Sequence, residues 1–288
     1  MVQLTSIMGN SQKLDGGAMF GNVPRNMWSK WMKADDENRI TMACRALLIE
    51  TDGKKILLET GIGNFFEPKL KARFGISEDR HVLLDNLAKM AIGHEDIDAV
   101  ILSHLHFDHA GGLLSSWEQG VEPHLLFPNA RIYSSKTAWE RANNPHPRDR
   151  ASFIPVLNRQ LESSNRLHLI EGNADNWLGP VFSFTTSNGH TPGMLLTHIN
   201  LQQGPIVFVA DLIPGSPWVH LPVTMGYDRF PEALIDEKQL LLNELLQQRG
   251  QLFFTHDPKI ALGALSQDEK GRFTLENCKF SMNREEFE

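Results

Sequence analysis

Three histidines and an aspartate fall within the six residues His104-Leu105-His106-Phe107-Asp108-His109, directly after the apolar run Ile97-Asp98-Ala99-Val100-Ile101-Leu102-Ser103. A short apolar run of this kind reads as a buried strand, so the polar groups stand at a strand end, where rigid backbone holds them. His104 and His106 point the same way while the chain stays extended, and Asp108 and His109 turn away once it bends. That geometry suits two adjacent metal ions sharing one loop, since imidazole and carboxylate are metal donors at neutral pH. One loop cannot complete two coordination shells, so the rest of the chain has to fold in a way that supplies the missing donors.

A chain of 288 residues is long enough for one large or two ordinary domains, and one is expected here, with residues 1–40 as an N-terminal arm or lid. Hydrophobic content of 41% with 22% charged residues is that of a globular protein rather than a disordered one. A formal charge of −7 argues against a nucleic-acid backbone or an anionic membrane as partner. Cys44 and Cys278 are the only cysteines, far apart in sequence, which excludes a disulfide framework and a cysteine-based zinc motif and leaves metal binding to histidine and carboxylate. Residues 1–17 show no basic start, apolar run and small-residue cleavage pattern, and no stretch reaches membrane-spanning length, so a cytoplasmic location is expected.

Residues 14–34 combine glycine-rich turns with Met19, Phe20, Met27, Trp28 and Trp31, a loop and short helix with an apolar face that packs on the core, covers a pocket or meets a second subunit in a homodimer. Two strands, 42–50 and 54–59, flank Thr51-Asp52-Gly53, and Asp-Gly between apolar runs predicts a hairpin. Val82, Leu83, Leu87 and Met90 fall at helical spacing over 78–91, with Ser77 as N-cap. A strand over 130–134, a helix over 136–142 and a loop over 143–148 follow. Further strands are predicted at 166–170, 181–186, 195–200, 206–210 and 252–255, and a long helix over 231–248 with Gly250 as its stop. Three of these later strands run into a polar candidate, namely His190, Asp211 and His256. Strands interleaved with helices in both halves predict a layered α/β fold.

The pattern His104-x-His106-x-Asp108-His109, followed by His190, Asp211 and His256, resembles the metallo-β-lactamase superfamily over nearly the whole chain. The resemblance implies a four-layer αβ/βα sandwich with a dinuclear site at the sheet edge. It implies one ion held by His104, His106 and His190 and another by Asp108, His109 and His256, with Asp211 bridging. The ions would be zinc, with iron, manganese or cobalt also fitting the mixed nitrogen and oxygen donors. A metal-bridging hydroxide would then attack the substrate, with Asp108 and Asp211 as the catalytic carboxylates and Asp108 as proton shuttle.

Within the superfamily, the β-lactam-hydrolysing members with a cysteine ligand need a thiolate where Asp211 stands, and the flavin-linked redox members carry an acidic residue where His106 stands. The short acidic chain shows neither the inserted domain nor the basic surface of the nucleic-acid-processing members. The segments 15–21, 102–112 and 225–228 are most similar to the branch of acyl-homoserine lactonases and methyl-parathion-type hydrolases, and the quorum-quenching lactonases stand nearest. The expected activity is lactone opening on a small molecule with an apolar portion. Organophosphate or aryl ester hydrolysis, glyoxalase II-like thioester hydrolysis, and a non-catalytic metal-containing signal-binding protein are the alternatives. Two departures stand out: Pro214 occupies the position of a tyrosine common in such lactonases, and Glu59-Thr60-Gly61 replaces Asp-Thr-Gly. Met19, Phe20, Trp28, Trp218, His220 and Tyr227 are the expected substrate contacts, with Phe65, Phe66, Leu221 and Met225 as further candidates for an apolar wall. The histidines at 81, 94, 124, 146, 168 and 198 lack companion donors and are expected to be structural or exposed.

Overall fold

The Asp-Gly pair predicted to turn a hairpin does so. Strands Arg45–Thr51 and Lys54–Leu58 pair antiparallel with Thr51 opposite Lys54, so Asp52 and Gly53 alone make the turn. Both have positive φ, 50° and 73°, as a type I′ turn requires to match the twist of its strands. The computed structural model describes all 288 residues and divides them into two compact units.

The first unit comprises Met1–Gln12, Ala43–Glu171 and Asn283–Phe287. The hairpin lies inside its seven-stranded sheet. On one side of the hairpin come Val2–Met8 and then Glu285–Phe287, both antiparallel; on the other, Ala99–Ile101, Arg131–Ser135 and Leu167–Ile170 continue in parallel. Parallel strands need crossovers, and these are helical: Val82–Lys89 before Ala99–Ile101, and Pro155–Ser163 before Leu167–Ile170. Leu48, Leu57, Val100 and Ile132 from the strands meet Leu83, Leu87, Leu157 and Leu161 from the helices in one core. Helix Val82–Lys89 starts later than its spacing predicts, with His81 rather than Ser77 at the N-cap. Asn10 accounts for this, because its side chain accepts from Val82 N at 3.0 Å and donates to the Arg80 carbonyl at 2.8 Å, fixing the entry to the helix.

The second unit comprises Lys13–Met42, Gly172–Met282 and Glu288. Its six-stranded sheet runs Phe273–Lys279, Leu262–Gln267, Gln251–Phe253, Ile206–Phe208, Met194–Ile199, Phe182–Ser187, with one parallel pair, Ile206–Phe208 beside Gln251–Phe253. Helix Pro231–Gln247 forms where predicted. Its stop is a Schellman-type turn in which Gly250 N bonds Leu245 O at 2.7 Å. Arg249 takes the left-handed conformation, φ 57°, that the sequence assigns to glycine; Gly250 is needed for another reason, since a Cβ there would lie 2.5 Å from the Leu245 side chain.

The segment 1–40 is divided between the units. Val2–Met8 is an interior strand of the first sheet, while Lys13–Met42 belongs to the second unit. The loop and short helices predicted from 14–34 are Gly16–Phe20, capped by Asp15 Oδ1 on Ala18 N at 2.8 Å, and Arg25–Trp28. Gly16 lets the two helices close, because a Cβ there would sit 2.4 Å from the Trp28 ring. No helix is long and apolar enough to cross a membrane.

Candidate metal centre

Four of the predicted donors stand three residues beyond the last residue of a strand. His104 follows Ile101, His190 follows Ser187, Asp211 follows Phe208 and His256 follows Phe253. In the second unit the three strands concerned run the same way through the sheet, so their donors emerge at one edge.

In the first unit the chain leaves Ile101 extended, passes Ser103 and His104, and turns into a short helix, Phe107–Ala110, with His106 at the N-cap. All four predicted donors are buried, and their rings converge: His104 lies 4.4 Å from His106 and 4.1 Å from His109, centroid to centroid. Asp108 Oδ1 is 3.8 Å from His109 Nε2. The turn beyond is glycine because nothing else fits; a Cβ on Gly112 would fall 2.1 Å from the Thr60 carbonyl oxygen. The same close approach lets Thr60 N and Oγ1 both donate to the His109 carbonyl, at 3.0 and 3.1 Å.

Glu59 is the buried carboxylate behind this loop. Oε2 lies 2.9 Å from His109 Nδ1, and Oε1 accepts from Ser103 Oγ, which lies 2.9 Å from His104 Nδ1. The single hydroxyl proton of Ser103 goes to Glu59, so His104 Nδ1 must be the donor to Ser103. His104 therefore keeps its Nε2 lone pair, and the Glu59 carboxylate 2.9 Å from His109 Nδ1 favours the proton on that nitrogen, leaving Nε2 of that ring its lone pair as well. The longer carboxylate in place of the aspartate thus faces two histidines, one directly and one through a hydroxyl. It does so from a strained backbone, φ 62°, in a region rarely used by non-glycine residues. Sequence reading missed Gln12, wholly buried, whose Nε2 donates to Asp108 Oδ2 at 2.8 Å.

In the second unit Asp211 lies between the two histidines. Oδ2 is 3.1 Å from His190 Nε2 and Oδ1 is 3.2 Å from His256 Nε2. His190 Nδ1 is bonded to Asp228 Oδ1 at 2.9 Å, so its proton resides there and Nε2 faces Asp211 with its lone pair. His256 is seated by its backbone, N donating to Pro214 O at 3.0 Å. Asp257 accepts from Ser216 N and Oγ and from the amides of Lys259 and Ile260, at 2.6 to 2.9 Å, which fixes the turn around His256. Glu237 and Asp257 were not singled out in the sequence, and Asp228 entered only as the end of the segment 225–228.

Each unit thus presents buried imidazole and carboxylate donors of the kind that fit divalent ions with mixed nitrogen and oxygen preference.

Of the expected substrate contacts, Met19, Phe20, Trp28 and Trp218 are buried together in the second unit. The Phe20 ring stacks on Trp218 at 4.4 Å and on Trp28 at 5.4 Å, within 9° of parallel, and Trp218 Nε1 donates to the Met19 carbonyl at 3.0 Å. His220 and Tyr227 are exposed, as are Met27 and Trp31. Phe65 and Phe66 pack on each other in the first unit, and Phe66 also meets Phe74 and Phe107. Among the remaining histidines, His81 bonds the Gly112 carbonyl, His94 Nδ1 accepts from Phe127 N, His198 pairs with Thr185 and His168 stacks on Tyr133, while His124 and His146 are exposed. Burial pushes the Cys278 thiol pKa up, with Asp257 adding to it, which disfavours the reactive thiolate.

The chain is 26% identical over 224 residues to the N-acyl homoserine lactonase AiiA of Bacillus thuringiensis subsp. kurstaki, covering 73% of this chain and 79% of that one. Its structure is similar to that of a probable metal-dependent hydrolase from Staphylococcus aureus, with a TM-score of 0.84 at 29% identity over 96% of this chain and 97% of the other. It is also similar to AidC, a dizinc quorum-quenching lactonase solved with a product, N-hexanoyl-L-homoserine, with a TM-score of 0.76 at 25% identity over 98% and 96%. The family model of the metallo-β-lactamase superfamily matches residues 40–256, a span that takes in every predicted donor. The chain belongs to the metallo-β-lactamase superfamily and has its fold.

Proposed function

We propose that this metal-dependent hydrolase opens the ring of a lactone of the N-acyl homoserine type, and that its two donor clusters serve one dinuclear centre. His104, His106 and His190 would hold one ion, Asp108, His109 and His256 the other, and Asp211 both. When bound, such ions supply a water acidic enough to ionise near neutral pH and a Lewis acid for the ester carbonyl. Asp211 carries the reading, since its carboxylate places one oxygen beside the Nε2 of each of two histidines, at 3.1 and 3.2 Å. Zinc suits this donor set, and the similarity to a dizinc lactonase supports it.

The chain's own groups divide the remaining work. Glu59 and Asp228 hold protons on the far nitrogens of His109 and His190, keeping the donor faces unprotonated. Asp108, its carboxylate fixed by Gln12, takes a proton from the attacking water and returns it to the leaving alkoxide as the acyl C–O bond of the ring breaks. The product is the open hydroxy acid. The exposed Met27, Trp31, His220 and Tyr227 would meet the apolar portion of the substrate.

A panel of an acyl-homoserine lactone, an aryl lactone, a thioester and a phosphotriester, run on zinc-loaded protein with the metal content measured, tests the proposal. The lactone should be turned over fastest, at two zinc ions per chain. Faster turnover of the thioester or phosphotriester would move the protein to another branch, and less than one ion per chain without activity would make it a binding protein.

A further inference from the structure

Adjacent residues of helix Pro231–Gln247, Glu237 and Lys238, reach in different directions to two separate loops. Glu237 accepts from Ser187 Oγ at 2.6 Å, Asn188 N at 2.8 Å and Gly189 N at 3.1 Å, all in the turn immediately before His190. Lys238, wholly buried, points its ammonium at three backbone carbonyls, Val223 at 2.7 Å, Trp218 at 3.1 Å and His220 at 3.4 Å. An ammonium has three donors, and three acceptors surround it. The loop it holds runs on to Met225, whose amide donates to Asp228 Oδ2 at 2.7 Å, while Asp228 Oδ1 meets the His190 ring.

Thus one residue fixes the backbone that presents His190 and its neighbour fixes the loop that leads to the carboxylate orienting its ring. The start of the helix is tied to the same place, because Phe230 N donates to Gly189 O at 2.8 Å and Arg229 N to His190 O at 3.2 Å. A Cβ on Gly189 would lie 2.4 Å from Leu234 Cβ, so the turn rests directly on the helix. Burying an ammonium among neutral carbonyls costs stability that an apolar residue would not. A core that needed only filling would not select lysine there.

We propose that Glu237 and Lys238 are positioning residues for the metal ligand His190, Glu237 through the turn before it and Lys238 through Asp228. The proposal rests on the reading of His190 as a ligand, and its test does not depend on which substrate is hydrolysed. Glu237→Gln keeps the shape but exchanges an acceptor for a donor against the Asn188 and Gly189 amides. Lys238→Met keeps the length of the side chain and removes the donors. Gln239→Ala, on the exposed face of the same helix, is the control.

Zinc affinity would be measured by chelator competition on folded protein, with the visible spectrum of the cobalt-substituted form reporting ligand geometry. Both variants should release zinc about 10-fold or more readily than wild type and shift the cobalt bands, since residues supporting a ligand typically change metal affinity 10–100-fold. With Asp228→Asn already present, Lys238→Met should add little further loss, because both act on one ring. The proposal is overturned if folded Glu237→Gln and Lys238→Met proteins bind zinc as wild type does and keep its cobalt spectrum while only melting earlier, or if the Lys238 and Asp228 losses simply add. Should Lys238→Met not fold, Glu237→Gln with Lys238→Arg decides the matter by the same two readouts. If wild type itself holds zinc tightly but has no lactonase activity, the functional proposal falls and this one stands; if replacing His190 leaves zinc binding intact, both fall.

Discussion

Asp228 gives one carboxylate oxygen to His190 Nδ1, at 2.9 Å, and the other to the Met225 amide, at 2.7 Å. An asparagine has the same shape but a single acceptor, so one of the two contacts in Asp228→Asn must set donor against donor. Expected are a loss of metal affinity of about 10–100-fold and a loss of stability of about 1–3 kcal/mol. Metal retention during dialysis and a thermal melt would check the two. Unchanged metal content in a folded Asp228→Asn protein would refute the role given to that carboxylate.

Asp211 lies within about 3 Å of two predicted histidine donors, at 3.1 and 3.2 Å. Asp211→Ala should reduce hydrolysis by about 100-fold or more, as expected when a dinuclear centre loses a shared anion, with less than the wild-type metal bound. Elemental analysis beside a rate measurement distinguishes loss of metal from loss of chemistry. A folded Asp211→Ala protein that remains active would rule out the dinuclear mechanism.

Ser103 separates the two tasks of Glu59. Replacing Ser103 by alanine breaks the link to His104 but leaves the 2.9 Å approach to His109, whereas Glu59→Ala removes both supports. Glu59→Ala should therefore weaken metal retention more than Ser103→Ala does, with Ser103→Ala costing about 10-fold. Titration with a competing chelator reads both. The reverse order would show that Glu59 acts on neither ring.

Lys238 should make stability depend on pH in an unusual direction. Burial lowers its pKa from 10.5 to about 7, and Asp228 opposes part of the shift. Between these values the unfolded chain holds the proton more firmly than the folded one, so the folded state gains as pH rises. The penalty is complete below about pH 7 and gone above the unfolded value, a span of a few kcal/mol. Urea unfolding of wild type and Lys238→Met at pH 7, 8.5 and 10 should show the wild type gaining on the variant as pH increases. A difference independent of pH would mean that the amine does not titrate in this range.

The metal loop was legible because its donors are consecutive and an apolar strand precedes them. His190, Asp211 and His256 were legible for a related reason: each follows a strand, and the structure places each three residues past its end. Gln12, Asp228, Glu237 and Lys238 were not legible, since their partners lie 96, 38, 48 to 50 and 15 to 20 residues away and no spacing marks them. Val2–Met8 escaped because its burial breaks alternation at Leu4-Thr5, both of which are buried. Phe273–Lys279 escaped because it is an edge strand with no fully buried residue, so neither face carries an apolar pattern. The aromatic residues of 14–34 and Trp218 signalled an apolar surface, but composition does not distinguish a pocket wall from rings that stack on one another, as Phe20, Trp28 and Trp218 do.

Strand Glu285–Phe287 pairs with Val2–Met8, Val2 opposite Phe287, although almost the whole sequence lies between them. On the ribosome, residues 2–4 therefore wait for partners that are synthesised far later, with an unsatisfied sheet edge exposed meanwhile. Substitutions that break the pairing of Glu285–Phe287 should be felt in refolding yield more than in the catalytic rate of the molecules that fold. The edge left open is also where nascent chains would pair with one another.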